Sequence, residues 1–247
     1  MAHPAGLCYG GQSRLLFLQA AEKMQSTPVH DYYNHDLLKF IPPSARKLIE
    51  IGCGSGVLAR EFKAIAPDCH YLGVEIDASY AALARRHCDD CLVLDIELAD
   101  DAFWDANADR ECWIFGDSLE HLKDPWATLR KIRQNIPQNG CVVACIPNAQ
   151  HWSLQARLSI GDWRYEESGL LDRTHLRWFT RQTMLEMFDQ TGFTVETGMS
   201  RIFDEPDRER FLPVIEKMAS MLGVDAEMTI QDSMPLQYIL RAIINNS

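Results

Sequence analysis

The stretch Leu48-Ile49-Glu50-Ile51-Gly52-Cys53-Gly54-Ser55-Gly56 decides the fold. A short apolar run ends in glycines at every second position, and a helical pattern over 57–66 follows, closed by Pro67. A buried strand that runs into glycines lets the backbone turn sharply and lets a ligand come close to it. The helix beyond completes a strand–turn–helix unit of the nucleotide-binding α/β type.

Downstream the alternation repeats. Strands are expected over 70–76, 92–94, 111–115 and 140–146, with helices over 78–87 and Pro125–Asn135, the latter opened by Asp124-Pro125. Units of this length connect through right-handed crossovers into a parallel sheet covered by helices on both faces, a Rossmann-like α/β fold. Upstream, helical patterns cover 15–24 and 36–40 before Pro42-Pro43 breaks the chain. Periodicity lapses over 148–179, a segment rich in Trp and Arg. Thr180 then caps a helix through Gln190 that Gly192 stops. A strand over 193–197, a helix over 206–222 that Pro213 splits or kinks, and a strand over 236–244 follow.

The 247 residues suffice for one α/β domain spanning 1–247. The longest apolar runs, such as Cys141-Val142-Val143-Ala144-Cys145-Ile146, are strand-sized, so no membrane partner is expected. A net charge of −11 repels phosphate backbones and argues against nucleic acid as a partner. The eight cysteines lie mostly in apolar strand-like runs, which fits free thiols in a reducing compartment; with no signal-peptide pattern, a cytoplasmic location is expected. Cys88-Asp89-Asp90-Cys91 has no second pair at zinc spacing, and no other set of metal ligands is spaced convincingly, so no metal is assigned.

The glycine spacing is G-x-G-x-G, and Val57 stands where a dinucleotide-binding G-x-G-x-x-G motif has its last glycine. Glu50 lies inside the strand just before the glycines, where a negative charge opposes a pyrophosphate but suits a cofactor carrying an ammonium group. These two features favour S-adenosylmethionine (SAM) over NAD. The second strand ends in Glu75-Ile76-Asp77, where a carboxylate can accept two hydrogen bonds from a ribose diol. The third ends in Leu94-Asp95-Ile96, where the acid can accept from an adenine amino group.

From about Tyr32 to Ile244 the chain resembles the class I SAM-dependent methyltransferases. It is most similar to the bacterial branch found alone or fused to sugar-transferring enzymes in polysaccharide and natural-product clusters. The resemblance rests on residues 49–56, on Gly116-Asp117-Ser118-Leu119-Glu120-His121-Leu122, on Ile146-Pro147-Asn148, and on the run 169–180 with its Asp172-Arg173-Thr174-His175 centre. It implies a seven-stranded sheet whose final strand is antiparallel. It implies Gly52, Gly54 and Gly56 at the methionine part of SAM, Glu75 with Ile76 at the ribose, Asp95 with Ile96 at the adenine, and Asp117 beside the methyl. It also implies an N-terminal helical lid over 1–43.

Ligands on such a sheet bind beyond the carboxyl ends of the strands, so the segments after the fourth and fifth strands face the acceptor. A histidine there can remove an acceptor proton, and His121 and His175 are the candidates, ahead of His151. The 147–180 insertion is read as substrate-binding, with Asn148, Trp152, Arg164 and Arg173 as contacts, since planar guanidinium forks and aromatic faces suit sugars, carboxylates or phosphates, and Tyr33, before the first strand, is a further contact or a residue packed on the sheet. An Arg–Asp network that only rigidifies the loop is the competing reading. The expected reaction is methyl transfer to a small-molecule or glycan hydroxyl, by a chain compatible with homodimer formation. The alternatives are an NAD(P)-dependent oxidoreductase and a SAM-binding partner protein without catalysis.

Overall fold

A computed structural model describes residues 32–245, so the helical pattern over 15–24 and most of the 1–43 lid lie outside the described residues. Strands β1 (Lys47–Ile51), β2 (His70–Glu75), β3 (Asp90–Val93), β4 (Cys112–Gly116) and β5 (Cys141–Pro147) run parallel. β7 (Gln237–Ile244) inserts antiparallel between β5 and β6 (Phe193–Arg201). The order is β3-β2-β1-β4-β5-β7-β6, so the expected antiparallel final strand is present.

The central strands are buried on both faces because helices cover each side. Ile49 and Ile51 pack with Trp113, Phe115, Leu129 and Phe188, whereas Leu48 packs with Leu37, Phe62, Tyr71 and Ile114. Each large side chain removed from water in this way contributes about 1.5–3 kcal/mol. The covering helices are α1 (His35–Phe40), α2 (Val57–Ile65), α3 (Ala78–Ala84), α4 (Asp101–Ala106), α5 (Pro125–Asn135), α6 (Trp152–Ser159), α7 (Arg181–Gln190), α8 (Arg208–Leu222) and α9 (Ala226–Ser233). Among the described residues no helix is long and apolar enough to cross a membrane, and the cysteines are free and buried.

Three helices depart from the sequence expectation. α4, α6 and α9 are short and bury few apolar side chains, so no 3.6-residue period marks them. Their signal is instead in the caps: Asp100 accepts from Phe103 N, His151 from Ser153 N and Asp225 from Met228 N. β6 continues to Arg201 rather than ending at Thr197. It is an edge strand held to β7 through backbone pairing past a bulge, with many exposed side chains and hence no apolar alternation. Pro213 lies inside α8 without splitting it.

The strand order reverses between β1 and β4. The chain segments that leave these two strands therefore diverge and open a crevice at their carboxyl ends.

Candidate active site

Gly52, Gly54 and Gly56 all adopt positive φ, at 73°, 53° and 78°, which a side chain would strain. They differ in what surrounds them. A Cβ on Gly56 would lie 2.9 Å from the Ala84 backbone, and one on Gly52 3.0 Å from Ser118 Cβ, so these two allow close packing of α3 and of the segment after β4. A Cβ on Gly54 would meet nothing within 4 Å. Gly54 thus borders open space, as a backbone that receives a ligand must.

Glu75, at the tip of β2, accepts from Gly54 N at 2.9 Å and from Asp77 N at 3.0 Å. Its carboxylate ties the glycine loop to β2 and still has lone pairs for a diol. Asp95 caps the turn after β3 through Glu97 N at 3.0 Å. Ile76 is exposed beside Glu75, whereas the Ile96 side chain is buried in the core.

Glu50 is buried and accepts from Tyr71 Oη at 2.9 Å. Burial, opposed by that hydrogen bond and aided by the charge of Glu75, pushes its pKa up to about 8. The fixed negative charge expected here is thus a carboxyl held protonated at neutral pH, ready to ionise when a cation arrives.

After β4, Asp117 has φ 56°, the one positive value at a non-glycine position among the described residues. Such conformers gather at functional sites. Its Oδ1 accepts from Gln237 Nε2 at 2.5 Å, and burial raises its pKa to about 6 against the lowering effect of Cys145, Arg201 and Gln237.

Beyond Asp117 lies a cavity of about 220 Å³ whose walls include Asp117, Glu120, His121, Gly169, His175 and Gln237. Here the insertion folds back onto the segment after β4: Leu176 N and Arg177 N both donate to the Glu120 carbonyl, at 2.8 and 2.9 Å. That return brings His175 to His121, with ring centroids 4.8 Å apart in an edge-to-face pair. The hydroxyl proton of Thr174 goes to Asp172 Oδ1 at 2.6 Å, so His121 Nδ1–H donates to the Thr174 carbonyl at 3.1 Å. His121 Nε2 then carries the free lone pair. Desolvation lowers the pKa of both histidines below the ordinary 6.5, against the raising effect of Thr174 and Asp172 on His121 and with His121 lowering His175 further, so the neutral form of each prevails at pH 7. Glu120 is 1% exposed, and neither carboxylate oxygen has a hydrogen-bond partner.

The other expected acceptor contacts lie elsewhere. Asn148 is fully buried, donating to Asp232 O and Pro235 O at 2.8 Å each and accepting from Gln150 N, so it braces the β5 end. Trp152 donates to Glu205 Oε2 and stacks on Phe211. His151 is buried, caps α6 and faces Glu205 at 3.2 Å. Tyr33 packs on the core beside His35. Arg164 pairs with Asp162 at 2.7 Å and Arg173 with Glu167, while Arg157 pairs with Glu166 at 2.6 Å. Each of these three arginines is thus paired with an acid of the insertion itself. Glu120 and Gln237 were missed. Glu120 stood beside a named histidine, but Gln237 reaches Asp117 across 120 positions with no local signal.

A family model described as a methyltransferase domain matches residues 21–197. A tRNA (guanine-N(7)-)-methyltransferase of Synechococcus sp. (strain WH7803) is 28% identical over 109 residues, 41% of this chain and 45% of that protein. The chain therefore spans less than half the length of this curated relative. Among solved structures, a SAM-dependent methyltransferase from Archaeoglobus fulgidus superposes with a TM-score of 0.57 at 17% identity, over 84% of this chain and 90% of that one. An O-methyltransferase from neocarzinostatin biosynthesis, solved with SAM and 2-hydroxy-5-methyl naphthoic acid, gives 0.52 at 12% identity, over 86% and 53%. At these identities the likeness is one of fold.

Proposed function

The chain belongs to the methyltransferase domain family, and on that premise we propose that it transfers the methyl group of SAM to a hydroxyl oxygen of a small-molecule or glycan acceptor. The observation that carries the reading is the junction of two features. The glycine loop, open at Gly54, touches the segment after β4 at Ser118, and that segment leads directly into the cavity of Asp117, His121 and His175.

The residues present fit the cofactor. Gly54 offers backbone beside open space, Glu75 keeps lone pairs for a diol, and Glu50 is a buried carboxyl with a cation's charge to gain. When bound, SAM supplies an electrophilic methyl on a sulfonium centre. The chain's own residues align the acceptor and handle its proton. His121 Nε2, neutral and with its tautomer fixed by Thr174, accepts that proton, and His175 is the second candidate. The cavity holds an acceptor of modest size or one residue of a larger glycan.

The net charge of −11 argues against a tRNA acceptor, so the substrate named for the curated relative is not carried over. The test is product formation from SAM across a panel of hydroxyl acceptors, with His121→Gln beside the parent. Turnover should fall about 10²–10⁴-fold while SAM affinity stays near normal. If His121→Gln and His175→Gln both stay within a few-fold of the parent, proton removal by this pair is wrong.

A further inference from the structure

We propose that Glu120, His121 and His175 form a site for one divalent cation of the zinc type, with its open position facing the acceptor cavity. The proposal rests on the methyl-transfer reading of that cavity and changes what activates the hydroxyl.

One ligand atom from each residue lies within 4.8 Å of the others. Glu120 follows β4 on the short turn Leu119–His121, and His175 comes from the insertion 55 positions later, so only the folded chain assembles the set. The group has three features of a metal site. Both oxygens of Glu120 are buried and unpartnered, which costs free energy unless a proton or cation compensates. His175 Nε2 lies 3.9 Å from Glu120 Oε1, too far for a hydrogen bond. It is near the roughly 3.4 Å that separates two ligands on one tetrahedral ion with bonds of about 2.0–2.2 Å. Third, His121 gives its other ring N–H to a backbone carbonyl, the arrangement that fixes a metal-binding imidazole.

Two imidazoles and one carboxylate make a borderline donor set. It suits zinc, cobalt, iron or manganese and is poorer for magnesium, which favours oxygen. Three protein ligands beside a cavity leave a position for an exogenous oxygen, as in catalytic rather than structural zinc sites. The acceptor hydroxyl takes that position, and the cation lowers its pKa so that its proton leaves to water. The resulting alkoxide forms the O–CH₃ bond while the S–CH₃ bond breaks and its electron pair stays on sulfur. A cation on His121 Nε2 occupies the lone pair that takes the proton in the metal-free protein, so the two modes exclude one another.

The test strips the full chain with a chelator and titrates ZnCl₂ by calorimetry, with MgCl₂ as the contrasting probe. One zinc per chain should bind, and Glu120→Gln and His175→Gln should each weaken it beyond the roughly 100-fold that even an outer-shell change costs. SAM affinity measured on the same variants reports that they are folded. If a variant does not fold, CoCl₂ added to the parent should give visible absorption bands of a low-coordinate site that ZnCl₂ abolishes. No zinc binding at millimolar concentration, binding in both variants as tight as in the parent, or cobalt bands insensitive to zinc would overturn the proposal. Methyl transfer is read separately. Transfer by the stripped parent without zinc binding removes the cation and leaves the proposed function, whereas zinc binding without transfer to any hydroxyl removes that function.

Discussion

Glu50 should make SAM binding strongly pH-dependent. Its carboxyl is buried against Tyr71 and titrates near 8. At pH 7 it is therefore ionised in roughly one molecule in ten. If the ionised form pairs with the ammonium of SAM, the affinity at pH 7 is about tenfold, or ~1.4 kcal/mol, below its limit. The affinity should rise nearly tenfold per unit from about pH 6 and level off near pH 8, where an α-amino group itself loses its proton. Binding at pH 7 should release close to one proton. Calorimetric titration in buffers of different ionisation enthalpy reads both quantities. Glu50→Gln should lose the rising limb and the proton release. Tyr71→Phe, deprived of the hydrogen bond that lowers the Glu50 pKa, should shift the limb to higher pH. A parent whose SAM affinity is flat over this range, or a Glu50→Gln variant with unaltered proton release, would refute the pairing.

The same group bears on stability. Its folded pKa of about 8 exceeds the ordinary value of 4.5, so the folded chain holds the extra proton between those values and its stability falls as pH rises across that window. Glu50→Gln should flatten the fall, on the order of a few kcal/mol, in denaturant midpoints taken at several pH values, and an unchanged slope would contradict it. Gly54→Val is expected to abolish SAM binding with little change in circular dichroism, and normal binding would mean that the loop is only a turn. Asn148→Ala leaves buried carbonyls unpaired and should lower stability by about 1–3 kcal/mol while SAM affinity persists in the folded fraction. Intact stability with a raised acceptor KM would restore Asn148 as a substrate contact.

The sheet was legible because its central strands are apolar runs and its glycine loop is a local signal, and α5 matches its expected bounds residue for residue. α6 was not legible because only Trp152 and Leu154 are buried in it. In the candidate site, the residue types at His121, His175 and Asp117 could be read from position along the fold. Their partners could not. Whether Asn148 meets a substrate or two buried carbonyls depends on where Asp232 and Pro235 return. The sequence shows the charge of the insertion's arginines, while their pairing with Asp162, Glu166 and Glu167 exists only in the folded loop. Glu120 is almost wholly buried, which no local feature of the sequence announces.

The most direct measurement titrates SAM and, separately, NAD(P) into the parent and into Glu75→Ala by calorimetry. SAM should bind the parent at one per chain and NAD(P) should not bind. Glu75→Ala should weaken SAM by about 10–100-fold, the loss of charged hydrogen bonds worth roughly 1.5–3 kcal/mol, in a chain that stays folded. NAD(P) binding in place of SAM, or SAM affinity unchanged in Glu75→Ala, would contradict the assignment of this crevice to a methyl donor.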